Sequence, residues 1–178
     1  MALSGAAAAG IVASPILVAP AKAHITGLAT SGERRLKLLN LHTGERVNSV
    51  YWAEGGYIDD GLAELDRVLR DFRTGDVVEM DRELLDLIYA LHRKMESNQP
   101  FEIISGYRSP KTNAKLRQNS NGVAKRSYHM KAMAIDLRLS GGDLRHLHRA
   151  AKSLEGGGVG LYTKSGFIHM DTGPVRYW

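Results

Sequence analysis

The stretch AMAIDLRL sets one aspartate, Asp136, in the middle of an apolar segment. Side chains alternate along a strand, so Ala134, Asp136 and Arg138 share one face and Ile135, Leu137 and Leu139 the other. A carboxylate in that setting is costly unless it is paired or holds a cation. Any fold for this chain must therefore bring a partner to Asp136. FIHMD, near the C-terminus, repeats the pattern, with His169 and Asp171 on one face and Ile168 and Met170 on the opposite one. His129 stands in the loop leading into the Asp136 strand, seven residues ahead of the aspartate. Two histidines and one aspartate converging on an ion leave one tetrahedral position for water, the open form of a catalytic zinc site. Taken one at a time, each residue has a plainer explanation: a structurally satisfied strand histidine, or a buried aspartate that caps or pairs.

The rest of the chain supplies a scaffold. RRLKLLNLHTGERVNSVYW reads as a hairpin turning at His42-Thr43-Gly44. AEGGYIDDG reads as a loop, and Asp59 or Asp60 is placed to cap a helix running through Leu62, Leu65, Val68, Leu69 and Phe72. Asp81 caps a second helix with Leu84, Leu85, Leu87, Ile88, Leu91 and Met95 on its apolar face, and Pro100 follows its end. Phe101 to Ile104 is a short buried strand, Thr112 to Gln118 a short helix, and MKAMAIDLRL a strand. A Gly-bounded helix follows in SGGDLRHLHRAAKSLEGGG. Two last strands flank a turn at Lys164-Ser165-Gly166. Helices gather early and strands late, without βαβ alternation, which predicts an α+β fold with a mostly antiparallel sheet.

Composition narrows the chemistry. The 178 residues suit one domain. There is no cysteine, so disulfides, thiolate metal sites and cysteine nucleophiles are excluded. A net charge of +5 suits a polyanionic neighbour. The basic residues are scattered, with no basic helix and no aromatic ladder, so nucleic acid is not an expected partner. Residues 1–23, MALSGAAAAGIVASPILVAPAKA, are apolar, carry one base and no acid, and end in the A-x-A pattern Ala21-Lys22-Ala23. That is the pattern of a signal peptide and its cleavage site, though without a positive n-region, which points to a basic or twin-arginine stretch upstream of Met1. Pro15 and Pro20 argue against a retained membrane span. The expected organisation is a signal peptide over 1–23, a linker over 24–34 and one catalytic domain over 35–178, exported to the periplasm with no stable membrane insertion after cleavage. Oligomeric state leaves no signal in the sequence.

SYHMKAMAID, Ser127 to Asp136, resembles the S-x-H-x6-D signature of the LAS-type zinc peptidases, the group of VanX and the zinc D-alanyl-D-alanine carboxypeptidases. SGYRS, Ser105 to Ser109, resembles the stretch that precedes that signature and carries a substrate-facing arginine. GGVGLYTKSGFIHMDTGPVRYW looks like the C-terminus of the YcbK-like murein endopeptidases within the group. The resemblance spans about residues 35–178. It implies a Hedgehog/DD-peptidase-like fold, a small sheet with helices packed on one side, and a bacterial peptidoglycan peptidase holding one Zn2+. Carried over by position, His129, Asp136 and His169 match the metal ligands. Arg108 matches the arginine that polarises the scissile carbonyl or steadies its oxyanion, and Ser127 the serine that binds substrate or orients the loop. Endopeptidase cleavage of cross-links is the expected activity, with carboxypeptidase trimming or a non-catalytic wall-binding module as alternatives.

One position departs from the VanX pattern. Where such proteins carry a glutamate as general base, three residues before the last ligand, this chain has Gly166. Asp171 is the local candidate for that role. Its alternative role is to support a ligand histidine or Arg108. His146 and His148, two apart on a helix, do not share a face, and His24, His42 and His92 have no partner pattern. Trp52, Tyr162 and Trp178 read as core or cleft-wall residues.

Overall fold

A hairpin opens the part of the chain that the structure, a computed structural model, describes: residues 32–120 and 122–178. The apolar leader, its cleavage pattern and His24 lie outside the described residues. Arg34–Asn40 (β1) pairs antiparallel with Arg46–Ala53 (β2) around the anticipated turn. Asn40 closes that turn, its Oδ1 accepting from the His42 and Thr43 amides at 2.9 and 3.2 Å. The stretch expected as a loop contains a two-residue strand, Gly56–Tyr57 (β3), paired to β2.

Helix Asp59–Val68 (α1) differs from its expected form at both ends. Its N-cap is Ile58, whose amide donates to Tyr51 O at 2.9 Å. Asp59 and Asp60 therefore fall inside the first turn, where negative charge still suits the positive end of the helix. The helix stops at Val68 because the Leu69 carbonyl is taken by the Tyr107 amide, at 2.7 Å. Phe72, expected inside the helix, instead stacks on His42 with ring centroids 4.0 Å apart. Arg82–Lys94 (α2) is capped by Asp81 as its sequence implies. Phe101–Ser105 (β4) follows, then Pro110–Asn119 (α3), capped by Ser109 with proline in its first turn.

Tyr128–Lys131 is a short 3-10 helix, which takes up Met130 and Lys131, the expected first residues of the strand, and Ala132, at φ +57°, turns the chain left-handed into Ala134–Leu139 (β5). Leu144–Lys152 (α4), Gly158–Tyr162 (β6), Phe167–Asp171 (β7) and the two-residue Arg176–Tyr177 (β8) complete the element order.

The eight strands form one sheet in the order β3-β2-β1-β4-β5-β7-β6-β8. The β1–β4 and β6–β8 pairs are parallel and the rest antiparallel, so the sheet is mixed but mostly antiparallel. Across β5 and β7, Ile135 faces Met170 and Leu137 faces Ile168. These four join Leu36, Leu38 and the apolar sides of α1, α2 and α4 in one core. Each fully buried leucine there contributes roughly 1.5–3 kcal/mol of transfer free energy. α3 adds no side chain to that core. On the opposite face of the same strands, Asp136 pairs with His169 and Ala134 with Asp171.

One residue ties this architecture together. The Asp81 amide donates to Ala132 O at 3.0 Å. Its carboxylate caps Glu83 N and accepts from Thr172 Oγ1 at 2.5 Å. The start of α2, the turn before β5 and the residue after β7 thus meet at one residue.

Candidate active site

The two central strands bring Asp136 and His169 side by side because their register makes them direct partners. In an antiparallel ladder such partners hold their Cβ atoms about 4.5–5.5 Å apart. His169 Nδ1 lies 2.9 Å from Asp136 Oδ1. His129 reaches the same carboxylate from the 3-10 helix, its Nε2 3.3 Å from Asp136 Oδ2. Ligand atoms of His129, Asp136 and His169 all lie within 4.8 Å of one another, and all three residues are at least nine-tenths buried.

The imidazole orientations follow from their other partners. His129 Nδ1 lies 2.7 Å from the Gly106 carbonyl. A carbonyl only accepts, so Nδ1 carries a proton and Nε2 is the nitrogen turned to the cluster, donating to Asp136 when protonated and open to a metal ion when not. His169 Nε2 lies 2.9 Å from Asp171 Oδ2, which leaves Nδ1 as the nitrogen turned towards Asp136 and His129. Burial works against charge on His169, but its hydrogen bonds to Asp136 and Asp171 outweigh this and raise its pKa. Burial alone would also raise the Asp136 pKa. The charge and hydrogen bond of His129, with those of His169, hold it well below the usual carboxylate range. Two nitrogens and a carboxylate oxygen, each fixed from behind by a hydrogen bond or a strand, are a donor set that fits Zn2+.

Asp171 lies beneath this group and is fully buried. Its Oδ1 accepts from Gly173 N at 2.8 Å, Gly158 N at 3.3 Å and Arg176 Nη1 at 3.0 Å. Its Oδ2 accepts from Arg176 Nη2 at 2.6 Å as well as from His169. Burial would raise its pKa, but the hydrogen bonds from His169, Arg176 and Gly173 keep it well below the usual range. Arg176 has no place in the sequence pattern of the ligands. Two pointers to it existed: its C-terminal position five residues after Asp171, and the need of a buried carboxylate for a cation.

Arg108 sits on the other flank, its Nη2 3.7 Å from Asp136 Oδ2 and 3.3 Å from Ser105 Oγ. Its Nε is buried without a hydrogen-bond partner among the described residues. Its amide donates to His129 O at 3.2 Å, so arginine and ligand loop are joined through their backbones. Asp71 fixes the next residue, accepting from Ser109 N at 2.9 Å. Burial pushes the Asp71 pKa up, but its hydrogen bonds with Thr112, Ser109 and Arg73 bring it below its ordinary 3.8. Asp71→Ala should cost about 1–3 kcal/mol, the penalty for leaving buried donors unpaired. Because the folded-state pKa is the lower one, this contribution is present above pH 3.8 and is lost as pH falls through the folded value. Urea denaturation of both proteins should therefore show a gap at neutral pH that narrows under acid.

Ser127 Oγ accepts from His129 N at 3.3 Å, which caps the 3-10 helix, and the residue also lines the cleft above the cluster. That cleft encloses about 260 Å³, with Arg108, Arg126, Tyr128, Tyr162, Arg176 and Trp178 among its walls. Tyr162 and Trp178 are thus cleft residues, whereas Trp52 belongs to the core. Gly166 lies in the β6–β7 turn at φ +72°, a left-handed backbone in which a glutamate would be strained. Glu102, in β4, is bound to Arg138 Nε at 2.6 Å.

Residues 28–178 match a family model described as peptidoglycan L,D-endopeptidase MepK. A relative from Escherichia coli (strain K12), named peptidoglycan L,D-endopeptidase MepK, is 43% identical over 171 residues, covering 96% of this chain and 93% of the relative. One from Haemophilus influenzae, named probable peptidoglycan L,D-endopeptidase MepK, is 43% identical over 152 residues, covering 85% of this chain and 82% of the relative.

Proposed function

Since the chain belongs to the peptidoglycan L,D-endopeptidase MepK family, we propose that it hydrolyses L,D-configured peptide cross-links in peptidoglycan, using one Zn2+ held by His129 Nε2, Asp136 and His169 Nδ1. The chain is a peptidoglycan hydrolase of the LAS-type peptidases. The observation that carries the metal-dependent reading is the convergence of three buried donors, with the second nitrogen of each histidine already committed outside the cluster. Bound there, zinc supplies Lewis acidity that makes water nucleophilic near neutral pH and polarises a carbonyl.

The chain's own residues do the rest. Arg108 extends its guanidinium past Asp136 into the cleft, where it meets negative charge growing on the scissile carbonyl oxygen. Ser127 holds the His129 loop in register. Asp171 keeps the Nε2 proton of His169 in place and so leaves Nδ1 free as a donor. With five donors already on its two oxygens, Asp171 is better suited to this support than to taking a proton from water. We further propose that the mixed, mostly antiparallel sheet and its helices are arranged as in the Hedgehog/DD-peptidase-like fold, and that the mature chain works in the periplasm after cleavage behind Ala23.

Purified sacculi and isolated L,D-linked muropeptide dimers, digested and resolved by chromatography, test this reading. The zinc-loaded protein should convert dimers to monomers, lose that activity in EDTA and regain it with zinc. Binding without new products would mark a wall-binding module, and release of free D-alanine a carboxypeptidase; either result overturns the endopeptidase assignment.

A further inference from the structure

The hydrogen-bond polarity around Tyr162 leaves its hydroxyl proton uncommitted in the cleft. Trp178 Nε1 lies 3.0 Å from Tyr162 Oη. An indole N–H can only donate, so Oη is the acceptor and its own proton must point elsewhere. Among the described residues, no hydrogen bond gives that proton an acceptor. The phenol is also held still. Its ring stacks on Phe167 with centroids 4.8 Å apart. Trp178, which anchors Oη, rests 5.4 Å from the His169 ring and lies over Gly160, where a Cβ would collide with the indole.

Its location matches a need of the reaction. Tyr162 pairs with Phe167 and Gly160 with His169, so the phenol rises from the same sheet face as the third ligand, two residues further along. The Tyr162 carbonyl accepts from Gly166 N at 2.8 Å, so the phenol stands at the hairpin end where the VanX-like glutamate is missing. Tyr162 and Arg108 line the same cleft.

We propose that the Tyr162 hydroxyl is a catalytic hydrogen-bond donor that, beside Arg108, stabilises the oxyanion formed from the scissile carbonyl. This rests on the hydrolase reading above. The phenol keeps its proton throughout and serves as a preorganised dipole, positioned by Trp178.

The test compares wild type, Tyr162→Phe and Trp178→Phe as zinc-loaded proteins on an L,D-linked muropeptide dimer. A phosphinate analogue of the tetrahedral state is titrated in parallel by calorimetry. Tyr162→Phe should lower kcat about 100-fold with KM unchanged, the scale of losing one oxyanion donor. It should weaken the phosphinate by a similar factor and keep full zinc content. Trp178→Phe retains the phenol but frees its orientation, and should lower kcat about tenfold, the equivalent of one ordinary hydrogen bond. An unchanged kcat in Tyr162→Phe overturns the inference, as does a loss confined to KM with phosphinate affinity intact. A wild-type protein that fails to cut any dimer overturns the hydrolase reading together with this one. Cleavage by wild type with equal cleavage by Tyr162→Phe overturns this one alone.

Discussion

Asp136→Ala should lose its bound zinc and hydrolyse cross-links at least about 1000-fold more slowly, the scale of removing several kcal/mol of metal-supplied stabilisation. The geometry makes this the most damaging change at the site. Among the described residues, Asp136 is the one negative group that His129 Nε2, His169 Nδ1 and Arg108 Nη2 all face. Without it, two imidazoles and a guanidinium converge with no anion between them. A divalent cation arriving there would meet two nitrogens and a nearby positive charge. Asp136→Asn keeps the shape and removes only the charge, so it should behave nearly as badly. The fold should survive both changes, because Ile135 and Leu137 carry the packing on the opposite face. Metal analysis, circular dichroism and muropeptide chromatography on the same preparations check this. Retention of one zinc per chain by folded Asp136→Ala would exclude Asp136 as a ligand.

Asp171→Asn should produce the second largest effect, of a different kind. The carboxylate is fully buried and satisfies Arg176, two backbone amides and His169. An asparagine cannot accept at both ends, and its NH2 group confronts either the guanidinium or the His169 Nε2 proton. Loss of about 2–4 kcal/mol of stability follows, somewhat below the range for a fully buried pair because Arg176 is partly exposed. Zinc affinity should fall about 10–100-fold, as for other groups that orient a metal-binding histidine. The two possible roles of Asp171 then separate cleanly. A supporting residue predicts that turnover returns towards wild type at saturating zinc. A general base predicts that turnover stays low however much zinc is bound. Chelator competition, denaturant melts and zinc-titrated kinetics give the three readings.

Much of this site was legible because period-two alternation speaks directly about faces. It placed Asp136 with Ala134 and Arg138, and His169 with Asp171, and the register confirms that these faces coincide. Asp81 and the second helix were legible for a similar reason, since a cap followed by apolar residues at helical spacing is a local signal. The partners that decide orientation were not. The Gly106 carbonyl on His129 and the Tyr51 carbonyl on Ile58 are backbone groups with no side-chain signature. β3 and β8 have two residues each, too few to show a period. The parallel pairing of β1 with β4 joins segments separated by two helices, and nothing in either strand names the other. Arg176 was missed because an ion pair between a strand end and a two-residue strand leaves no periodic trace. The VanX-type comparison located an absence, the glutamate at Gly166, but only the hydrogen bonds show how fully Asp171 is already engaged.

Asp81 carries a consequence for how the molecule opens. It links the first turn of α2, the turn carrying Ala132 and the residue that follows β7, so none of these segments can leave the others without breaking a hydrogen bond to that one residue. They should behave as one cooperative unit in amide exchange. Metal seated between His129 and His169 would then slow exchange in the opening turn of α2, a helix that supplies none of the three ligands. The lifetime of the loaded site and the local unfolding of that helix would share one barrier, set by a capping aspartate outside the chemistry.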